Sequence, residues 1–338
     1  MIIFWSIIFI LSLTLLVKSA DWFVESSEKI GLALKVSPFI IGVSIVAIGT
    51  SLPELASSIA AVLKEAGEVV AANVVGSNIA NILLIVGLSA VASGALIVKK
   101  SLIDLDAPLL ATTTVLFLFI SLDKNINLFE GILLIFAFLV YLLSTISQRK
   151  EEIITPDLGE VISLEEMIGI LPSRVERRRQ ELKEKLPQKL NFTCFLFLIL
   201  GLLGLIFGAD YTIESLKKMA EILKVPNSLI TITALAVGTS LPELVVSVQS
   251  ALKKKYEIAL GNIFGSNVFN ALVVIGILAL ISPLKVDNLT FFIGFPYLIA
   301  STLLFVISGI SRRIHKWEGA MYLLIYFLFI LQLLEFTL

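Results

Sequence analysis

Long apolar runs separated by short polar segments make up most of the chain. Each run holds roughly 20 residues that are apolar on all sides, the length that an α-helix needs to cross about 30 Å of hydrocarbon. Strands of a membrane barrel would alternate in hydrophobicity instead, so the pattern excludes a barrel. The runs predict ten transmembrane helices near residues 2–20, 38–63, 69–95, 102–121, 126–147, 191–209, 226–252, 256–281, 288–309 and 318–337.

The ten runs form two copies of one design. Adding 189 to a position in the first half gives its counterpart in the second without gaps: ADWFVESSEKIGLALKV aligns with ADYTIESLKKMAEILKV, GTSLPEL at 49–55 with GTSLPEL at 238–244, and ANVVGSNIAN at 72–81 with GNIFGSNVFN at 261–270. Chance does not hold one offset over three motifs. Five spans per copy place the second copy upside down in the membrane, so the halves are predicted to be inverted repeats, as in secondary transporters.

The repeats define the predicted domains. Residues 1–147 and 191–338 are two five-helix repeats, and residues 148–190 form a linker with nine basic and nine acidic residues. Lysine and arginine are enriched in cytoplasmic loops. If the N-terminus is extracellular, 18 lysine and arginine residues lie in cytoplasmic loops and six lie in extracellular loops. We therefore expect a multi-pass protein of the cell membrane with both termini extracellular and the linker cytoplasmic.

The linker could serve two purposes. Its last third is predicted to be a charged, solvated helix, which favours a simple hinge. Regulatory calcium binding is the alternative, through Glu151, Glu152, Asp157 and Glu160. No D-x-[DN]-x-[DN]-G loop is present to support that alternative.

The composition agrees with a membrane protein. Hydrophobic residues make up 57% of the chain, charged residues 16%, and the mean hydropathy is +0.99. This is more apolar surface than one soluble core could bury, so the lipid bilayer is the expected surrounding and no nucleic-acid partner is expected. The single cysteine, Cys194, cannot form an intramolecular disulfide.

Glu54 and Glu243 are the only ionisable residues near the middle of any predicted span. A charge at the centre of a membrane helix costs on the order of 3 kcal/mol, so each carboxylate needs a compensating partner. No lysine or arginine lies at that depth. Two explanations stay open from the residues: protonated carboxyls bonded to neighbouring hydroxyls, or a bound cation.

Each glutamate shares one helix face with three smaller residues. The spacing i, i+3, i+4, i+7 places them together. Pro53 and Pro242 remove a helical hydrogen bond and kink both helices, which frees backbone carbonyls at membrane depth. A cavity or a bound cation must then satisfy those carbonyls. The two faces consist of Ala47, Thr50, Ser51 and Glu54, and of Ala236, Thr239, Ser240 and Glu243.

The following spans carry polar stripes with a residue every fourth position. By themselves such stripes also suit interhelical hydrogen bonding, with Gly76 and Gly265 allowing close approach. Together with the glutamate faces they offer carboxylate, hydroxyl, amide and carbonyl oxygens, the ligands of a hard cation such as Ca²⁺ or Na⁺. Two glutamates neutralise one Ca²⁺. The stripes consist of Asn73, Ser77 and Asn81, and of Asn262, Ser266 and Asn270.

The paired GTSLPEL motifs with their G-[SN]-N-x-x-N partners resemble the two α-repeats of the sodium/calcium exchangers, in the prokaryotic branch of the calcium/cation antiporter superfamily. The resemblance implies exchange of Ca²⁺ for Na⁺ by alternating access. It implies Glu54 and Glu243 as central calcium ligands, with the carbonyls of Thr50 and Thr239. It also implies that residues 2–32 and 191–221 slide against an eight-helix core. The flanking sodium sites it implies are lined by Ala47, Ser51, Ser77, Ala236, Ser240 and Ser266.

One position departs from the family pattern. Members often carry an aspartate where this chain has Asn270, opposite Asn81, so the site has two formal negative charges rather than three. Exchange of three Na⁺ for one Ca²⁺ would be electrogenic, and exchange of two monovalent ions would be electroneutral. The sequence leaves this stoichiometry open.

Several other functions are less favoured. A Ca²⁺/H⁺ exchanger of the same superfamily is the nearest alternative, and K⁺ co-transport is also open. A cation channel would normally need several subunits around one pore, whereas this chain holds both halves of its site and is expected to work as a monomer. An intramembrane enzyme is disfavoured because no Ser-His pair or zinc-binding cluster lies near the glutamates. No cofactor and no catalytic residue is predicted; the expected ligands are the transported ions.

Overall fold

Ten helices contain nearly all of the residues that the computed structural model describes, which are 1–34, 36–64, 67–98, 106–154, 191–223 and 238–337. Eight of the helices are long and apolar enough to cross a membrane, and α4 and α7 are shorter apolar helices. The predicted all-α membrane fold with ten helices is thereby confirmed. The helices are α1 Ile2–Ala33, α2 Pro38–Leu63, α3 Glu68–Ser93, α4 Ala107–Ile120, α5 Leu128–Ile154, α6 Phe192–Ile222, α7 Leu241–Leu252, α8 Tyr256–Ile281, α9 Thr290–Ile310 and α10 Lys316–Thr337.

Helices α1 and α6 extend about three turns beyond the predicted 2–20 and 191–209 spans. The apolar run marks only the part of a helix that lies in hydrocarbon. Beyond it, the polar continuation holds no proline before residue 38 in the first repeat or residue 226 in the second, so nothing stops the helix earlier. The linker prediction falls largely on residues 155–190, which lie outside the described residues.

Helices α1 and α6 lie side by side at the edge of the bundle. In their most apolar 18-residue stretches, only 17% of α1 and 22% of α6 is buried, against 89% in α8. Glycines of α6 let the two backbones meet. A Cβ atom on Gly201 would lie 2.7 Å from the backbone nitrogen of Phe23, and one on Gly208 would lie 3.0 Å from Cα of Leu16. This close packing makes α1 and α6 a single paired unit.

The interior of the bundle is formed by α2, α3, α7 and α8, which pack around a shared apolar core. Helices α2 and α8 cross at small residues. A Cβ atom on Gly42 would lie 3.0 Å from Cα of Gly261, and one on Gly265 would lie 2.5 Å from the carbonyl oxygen of Val43. The crossing brings the broken helix of the first repeat against the polar stripe of the second.

Two short antiparallel ladders join the repeats at the ends of the helices. Strand β1 (Ala95–Ile97) pairs with β4 (Arg313–His315), and β2 (Asn125–Ile126) pairs with β3 (Leu284–Lys285). Strands β1 and β2 lie in the first repeat and β3 and β4 in the second, so each ladder joins one strand from each repeat. The offset of 189 relates β1 to β3. Strands of two or three residues carry too little alternation to be predicted from the sequence.

Candidate ion-binding site

Helix α2 breaks at Ser51, and α7 begins directly after the equivalent Ser240. Ser51 has φ −88° and ψ 4°, and Ser240 has φ −88° and ψ 9°. The cause is the proline two residues later, Pro53 or Pro242, which cannot continue the hydrogen-bonding pattern of the preceding turn. A new helix begins after each break with a glutamate in its first turn. A carboxylate is favoured there by the helix dipole.

The two glutamates meet where the repeats meet. The side chains of Glu54 and Glu243 are completely buried. Ser51 Oγ donates to Glu243 Oε1 at 2.9 Å, and Ser240 Oγ lies 3.5 Å from Glu54 Oε1. Each serine therefore contacts the carboxylate of the opposite repeat, and the site needs both repeats to exist.

Threonines beside the glutamates connect the site to α3 and α8. Thr239 Oγ1 lies 3.3 Å from Ser77 Oγ of α3. Thr50 Oγ1 donates to Asn262 Oδ1 of α8 at 3.1 Å. Ser266, also on α8, lies beside the Glu243 carboxylate. The two predicted polar stripes thus face the two glutamate faces.

The asparagines of α3 and α8 bond to one another across the pseudo-two-fold axis. Asn78 Nδ2 donates to the carbonyl of Asn267 at 3.0 Å, and Asn270 Nδ2 donates to Asn78 Oδ1 at 3.3 Å. Asn78 was not among the predicted site residues. It lies within the repeated GSN motif, which was the available signal, but it falls outside the four-residue stripe.

Both helices widen into π-helical turns where the last predicted asparagines lie. The turns cover Ala80–Ile85 in α3 and Phe269–Val274 in α8, and they contain Asn81 and Asn270. Such turns are frequent at functional sites because they redirect side chains. The sequence carries no proline or glycine signal for them, so they were not predicted.

Several buried acceptor atoms at the site have no hydrogen-bond partner within the described part of the chain. One carboxylate oxygen of each glutamate is unpaired, and so is Asn270 Oδ1. Asn81 has neither amide atom bonded. Neither glutamate forms an ion pair with another described residue. Buried unpaired oxygens cost on the order of 1–3 kcal/mol each, and a cation would satisfy them together.

The described residues therefore bring together nearly all of the predicted site. The oxygen-bearing members are buried except Thr239, which is half-buried. Ala47 lies against α8 at Gly265. A Cβ atom on Gly265 would lie 2.5 Å from Cβ of Ala47. Its counterpart Ala236 lies outside the described residues. The members that the structure describes are Ala47, Thr50, Ser51, Glu54, Ser77, Asn81, Thr239, Ser240, Glu243, Ser266 and Asn270.

The chemistry of these donors suits a hard cation. Among the described residues there is no group of three or more histidine, cysteine, aspartate or glutamate side chains that could hold a metal ion. The available ligands are instead two carboxylates with hydroxyl and amide oxygens, which suit Ca²⁺ and Na⁺ better than borderline metals.

A cavity on one side of the bundle extends inward to Thr239 at the edge of the site. The cavity has a volume of about 580 Å³ and lies between α2, α6 and the start of the second broken segment. It extends from Thr239 beside Glu54 to the polar end of α6. Its lining includes Pro53, Ser57, Ala209, Asp210, Ile213, Glu214, Lys217, Gly238 and Thr239.

Known proteins share both the sequence and the fold. A family model described as sodium/calcium exchanger protein matches residues 4–147 and 193–334. The sodium/calcium exchanger MaX1 of Methanosarcina acetivorans is 34% identical over 357 residues, covering 97% of each chain. The sodium/potassium/calcium exchanger 3 of Homo sapiens is 32% identical over 123 residues, 36% of this chain and 19% of its own length. A solved structure of the sodium-calcium exchanger NCX_Mj, soaked with zero Na⁺ and Ca²⁺, has a TM-score of 0.78 and 29% identity, covering 98% of this chain and 100% of that chain.

Proposed function

Because the chain belongs to the sodium/calcium exchanger family, we propose that it exchanges Ca²⁺ for Na⁺ across the cell membrane by alternating access. Family membership makes it a multi-pass membrane antiporter of cations and not an enzyme. The finer assignment, Na⁺ as the coupling ion and the residues that bind each ion, is the proposal.

One observation carries the proposal: two buried glutamates, one from each repeat, each bonded to a serine of the other repeat and each keeping one oxygen free. Two carboxylates balance the charge of one Ca²⁺, so the loaded site is neutral inside the low-dielectric bundle. An empty site with two ionised carboxylates would be costly. A monovalent cation arriving as Ca²⁺ leaves relieves this cost, which favours exchange over one-way release.

We assign the ligands by position. The carboxylates of Glu54 and Glu243 with the carbonyls of Thr50 and Thr239 form the calcium site. The outer sodium positions are lined by Ala47, Ser51, Ser77, Ala236, Ser240 and Ser266. Asn81 and Asn270 complete the middle of the site. The breaks at Ser51 and Ser240 support this assignment, because they free backbone carbonyls next to both glutamates.

We further propose that both termini are extracellular and that the linker is cytoplasmic, from the distribution of lysine and arginine. In that orientation the cavity beside Thr239 opens to the outside, because the Lys217 end of α6 faces outward. The protein is proposed to work as a monomer, since one chain supplies both halves of the site.

Transport into proteoliposomes tests the coupling ion. Radiolabelled Ca²⁺ uptake is measured with an outward Na⁺ gradient, an outward proton gradient or an outward K⁺ gradient, each with and without a valinomycin clamp. Uptake driven by Na⁺ alone is expected. Uptake that requires the proton gradient would replace the proposal with Ca²⁺/H⁺ exchange, and a requirement for K⁺ together with Na⁺ would add K⁺ as a second coupling ion.

The clamp decides the stoichiometry in the same experiment. Three Na⁺ for one Ca²⁺ moves one net positive charge per cycle, so uptake would stall unless the membrane potential is dissipated. Two Na⁺ for one Ca²⁺ moves no net charge, and the clamp would then have no effect.

A further inference from the structure

A cluster of polar contacts ties α1 to the end of α7. Lys253 Nζ lies 2.6 Å from Asp21 Oδ1 and 3.3 Å from Glu25 Oε1. One turn earlier, Gln249 Nε2 donates to the backbone carbonyl of Val17 at 2.9 Å. These contacts hold the first helix against the broken helix of the second repeat, on the side of the bundle opposite the cavity.

The same side is closed by apolar packing. Val246 of α7 is completely buried, in one cluster with Ala20 and Val24 of α1. A second ion pair, between Lys255 and Glu28 at 2.5 Å, lies beyond it. Glu243 is therefore shielded from water on this side by α1.

The repeat offset gives Lys253, Asp21 and Glu25 counterparts of the same charge on the open side. Lys64 follows the last turn of α2 as Lys253 follows the last turn of α7. Asp210 and Glu214 occupy on α6 the positions that Asp21 and Glu25 occupy on α1. Within the described ranges, none of Lys64, Asp210 and Glu214 forms an ion pair, and the two acids line the cavity.

The apolar layer shows the same asymmetry. Ser57 is the counterpart of Val246, and it is exposed on the lining of the cavity. Ala209 and Ile213 are the counterparts of Ala20 and Val24, and they line the cavity as well. The three charged residues, present in both repeats, are thus paired at the closed end of the molecule and form no ion pair with a described residue at the open end.

We infer that Lys253 with Asp21 and Glu25 forms an inner latch that holds the protein in the state open to the outside, and that Lys64 with Asp210 and Glu214 forms the matching outer latch in the opposite state. The inference rests on the proposed alternating access and sidedness, and it deepens them by naming the residues that bias the two states.

The close packing of α1 against α6 makes the two latches mutually exclusive. A movement that separates α1 from α7 carries α6 toward α2, which brings Asp210 and Glu214 toward Lys64. Ion pairs at water-accessible positions shift an equilibrium by at most about fivefold each. Such modest contacts can bias a transporter without trapping it in one state.

A thiol reporter of the closed side tests the latches in the full-length protein. On a Cys194→Ser background, Val246→Cys is labelled in detergent by a water-soluble maleimide. Lys253→Gln is expected to increase the labelling rate about threefold to tenfold, from the loss of two ion pairs. Lys64→Gln is expected to decrease it. A Ser57→Cys reporter should respond to each variant in the opposite direction.

Three further variants make the result decisive. The double variant Asp21→Asn with Glu25→Gln removes the acidic partners of Lys253 and should raise the labelling rate as much as Lys253→Gln does. Lys253→Arg keeps the positive charge and should keep the original labelling rate. Lys254→Gln is the matched control, since Lys254 is adjacent and forms no ion pair among the described residues. Shifts in the same direction for Lys64→Gln and Lys253→Gln, or an equal effect of Lys254→Gln, would overturn the inference. Labelling reports conformation alone, so its failure is distinct from failure of the sodium assignment.

Discussion

Glu54 and Glu243 each contact a serine hydroxyl of the other repeat, and each keeps one carboxylate oxygen without a hydrogen-bond partner among the described residues. The serine that contacts each carboxylate belongs to the other repeat, at 2.9 Å for Ser51 and 3.5 Å for Ser240. The difference in length makes Glu243 the more firmly oriented of the two. Substitution of either acid removes half of the negative charge that we propose to balance Ca²⁺.

Glu54→Gln and Glu243→Gln are each expected to abolish Ca²⁺ transport. The remaining carboxylate would leave Ca²⁺ with an uncompensated positive charge in a low-dielectric site, which costs several kcal/mol. Radiolabelled Ca²⁺ uptake into proteoliposomes measures the loss, and gel filtration in detergent checks folding. Glu68→Gln is the matched control, because Glu68 also lies in the first turn of a helix but is exposed. Sustained uptake by either site variant would refute the assignment.

Asn270→Asp is expected to change the coupling ratio more than Ca²⁺ affinity. It adds a third negative charge in the middle of the site, which favours an additional monovalent cation. The ratio of Na⁺ to Ca²⁺ moved, measured by the reversal potential in proteoliposomes, should rise. An unchanged ratio would show that the asparagine does not set the stoichiometry.

The same substitution has a structural cost that its repeat counterpart avoids. Asn270 donates to Asn78 Oδ1 at 3.3 Å, whereas neither amide atom of Asn81 is bonded in the described structure. An aspartate at 270 would place two acceptor oxygens against each other. Asn81→Asp adds the same charge without losing a bond, so it should leave a higher melting temperature than Asn270→Asp.

At the scale of the helices, Gly265 sets how closely α8 approaches α2. A Cβ atom there would lie 2.5 Å from both the carbonyl oxygen of Val43 and Cβ of Ala47. Backbone atoms cannot move aside as a flexible side chain would. Gly265→Ala is therefore expected to destabilise the fold by about 1–3 kcal/mol through overpacking, and to weaken Ca²⁺ binding by separating the two helices.

Thermal unfolding in detergent, with and without Ca²⁺, measures both effects. Gly67→Ala is the control, because a Cβ atom at Gly67 would have its nearest neighbour at an ordinary 3.7 Å. Equal melting temperatures for the two variants would mean that the α2–α8 crossing tolerates the added methyl group.

Much of this element-level arrangement could be predicted because it has a local chemical cause. Pro53 and Pro242 each remove a hydrogen bond of the preceding turn, and the offset of 189 places one in each half. Other features depend on contacts between distant segments. The two-residue ladder of β2 and β3 and the cross-repeat bond of Asn78 appear only when the repeats are packed together. The π-helical turns around Asn81 and Asn270 have no local signal at all.

The full length of α1 was also not predictable from hydropathy alone. Hydropathy predicted the part of α1 that lies in hydrocarbon, but the extension to Ala33 is where Asp21 and Glu25 contact α7. The sequence therefore pointed to the candidate ligand side chains more completely than to the contacts between helices that we propose to decide which side is open.

At the scale of the whole molecule, α1 and α6 are expected to move as one unit against the other helices. Their contact runs through Gly201, Gly204 and Gly208, and Thr212 Oγ1 donates to Ser12 Oγ at 3.0 Å across it. Their packing against the interior differs between the two ends, as the cavity shows. A unit with tight internal packing and unequal external packing is suited to sliding.

Covalent links within and outside the pair should therefore have opposite effects on transport. On the Cys194→Ser background, Ser12→Cys with Thr212→Cys joins α1 to α6, and transport should persist after oxidation because no relative movement is lost. Asp21→Cys with Lys253→Cys, linked through two disulfides by a short bis-methanethiosulfonate, joins α1 to α7 and should stop transport. Reduction or omission of the reagent should restore it. If the α1–α6 disulfide also stops transport, the two helices must move separately, and the two latches could then close independently.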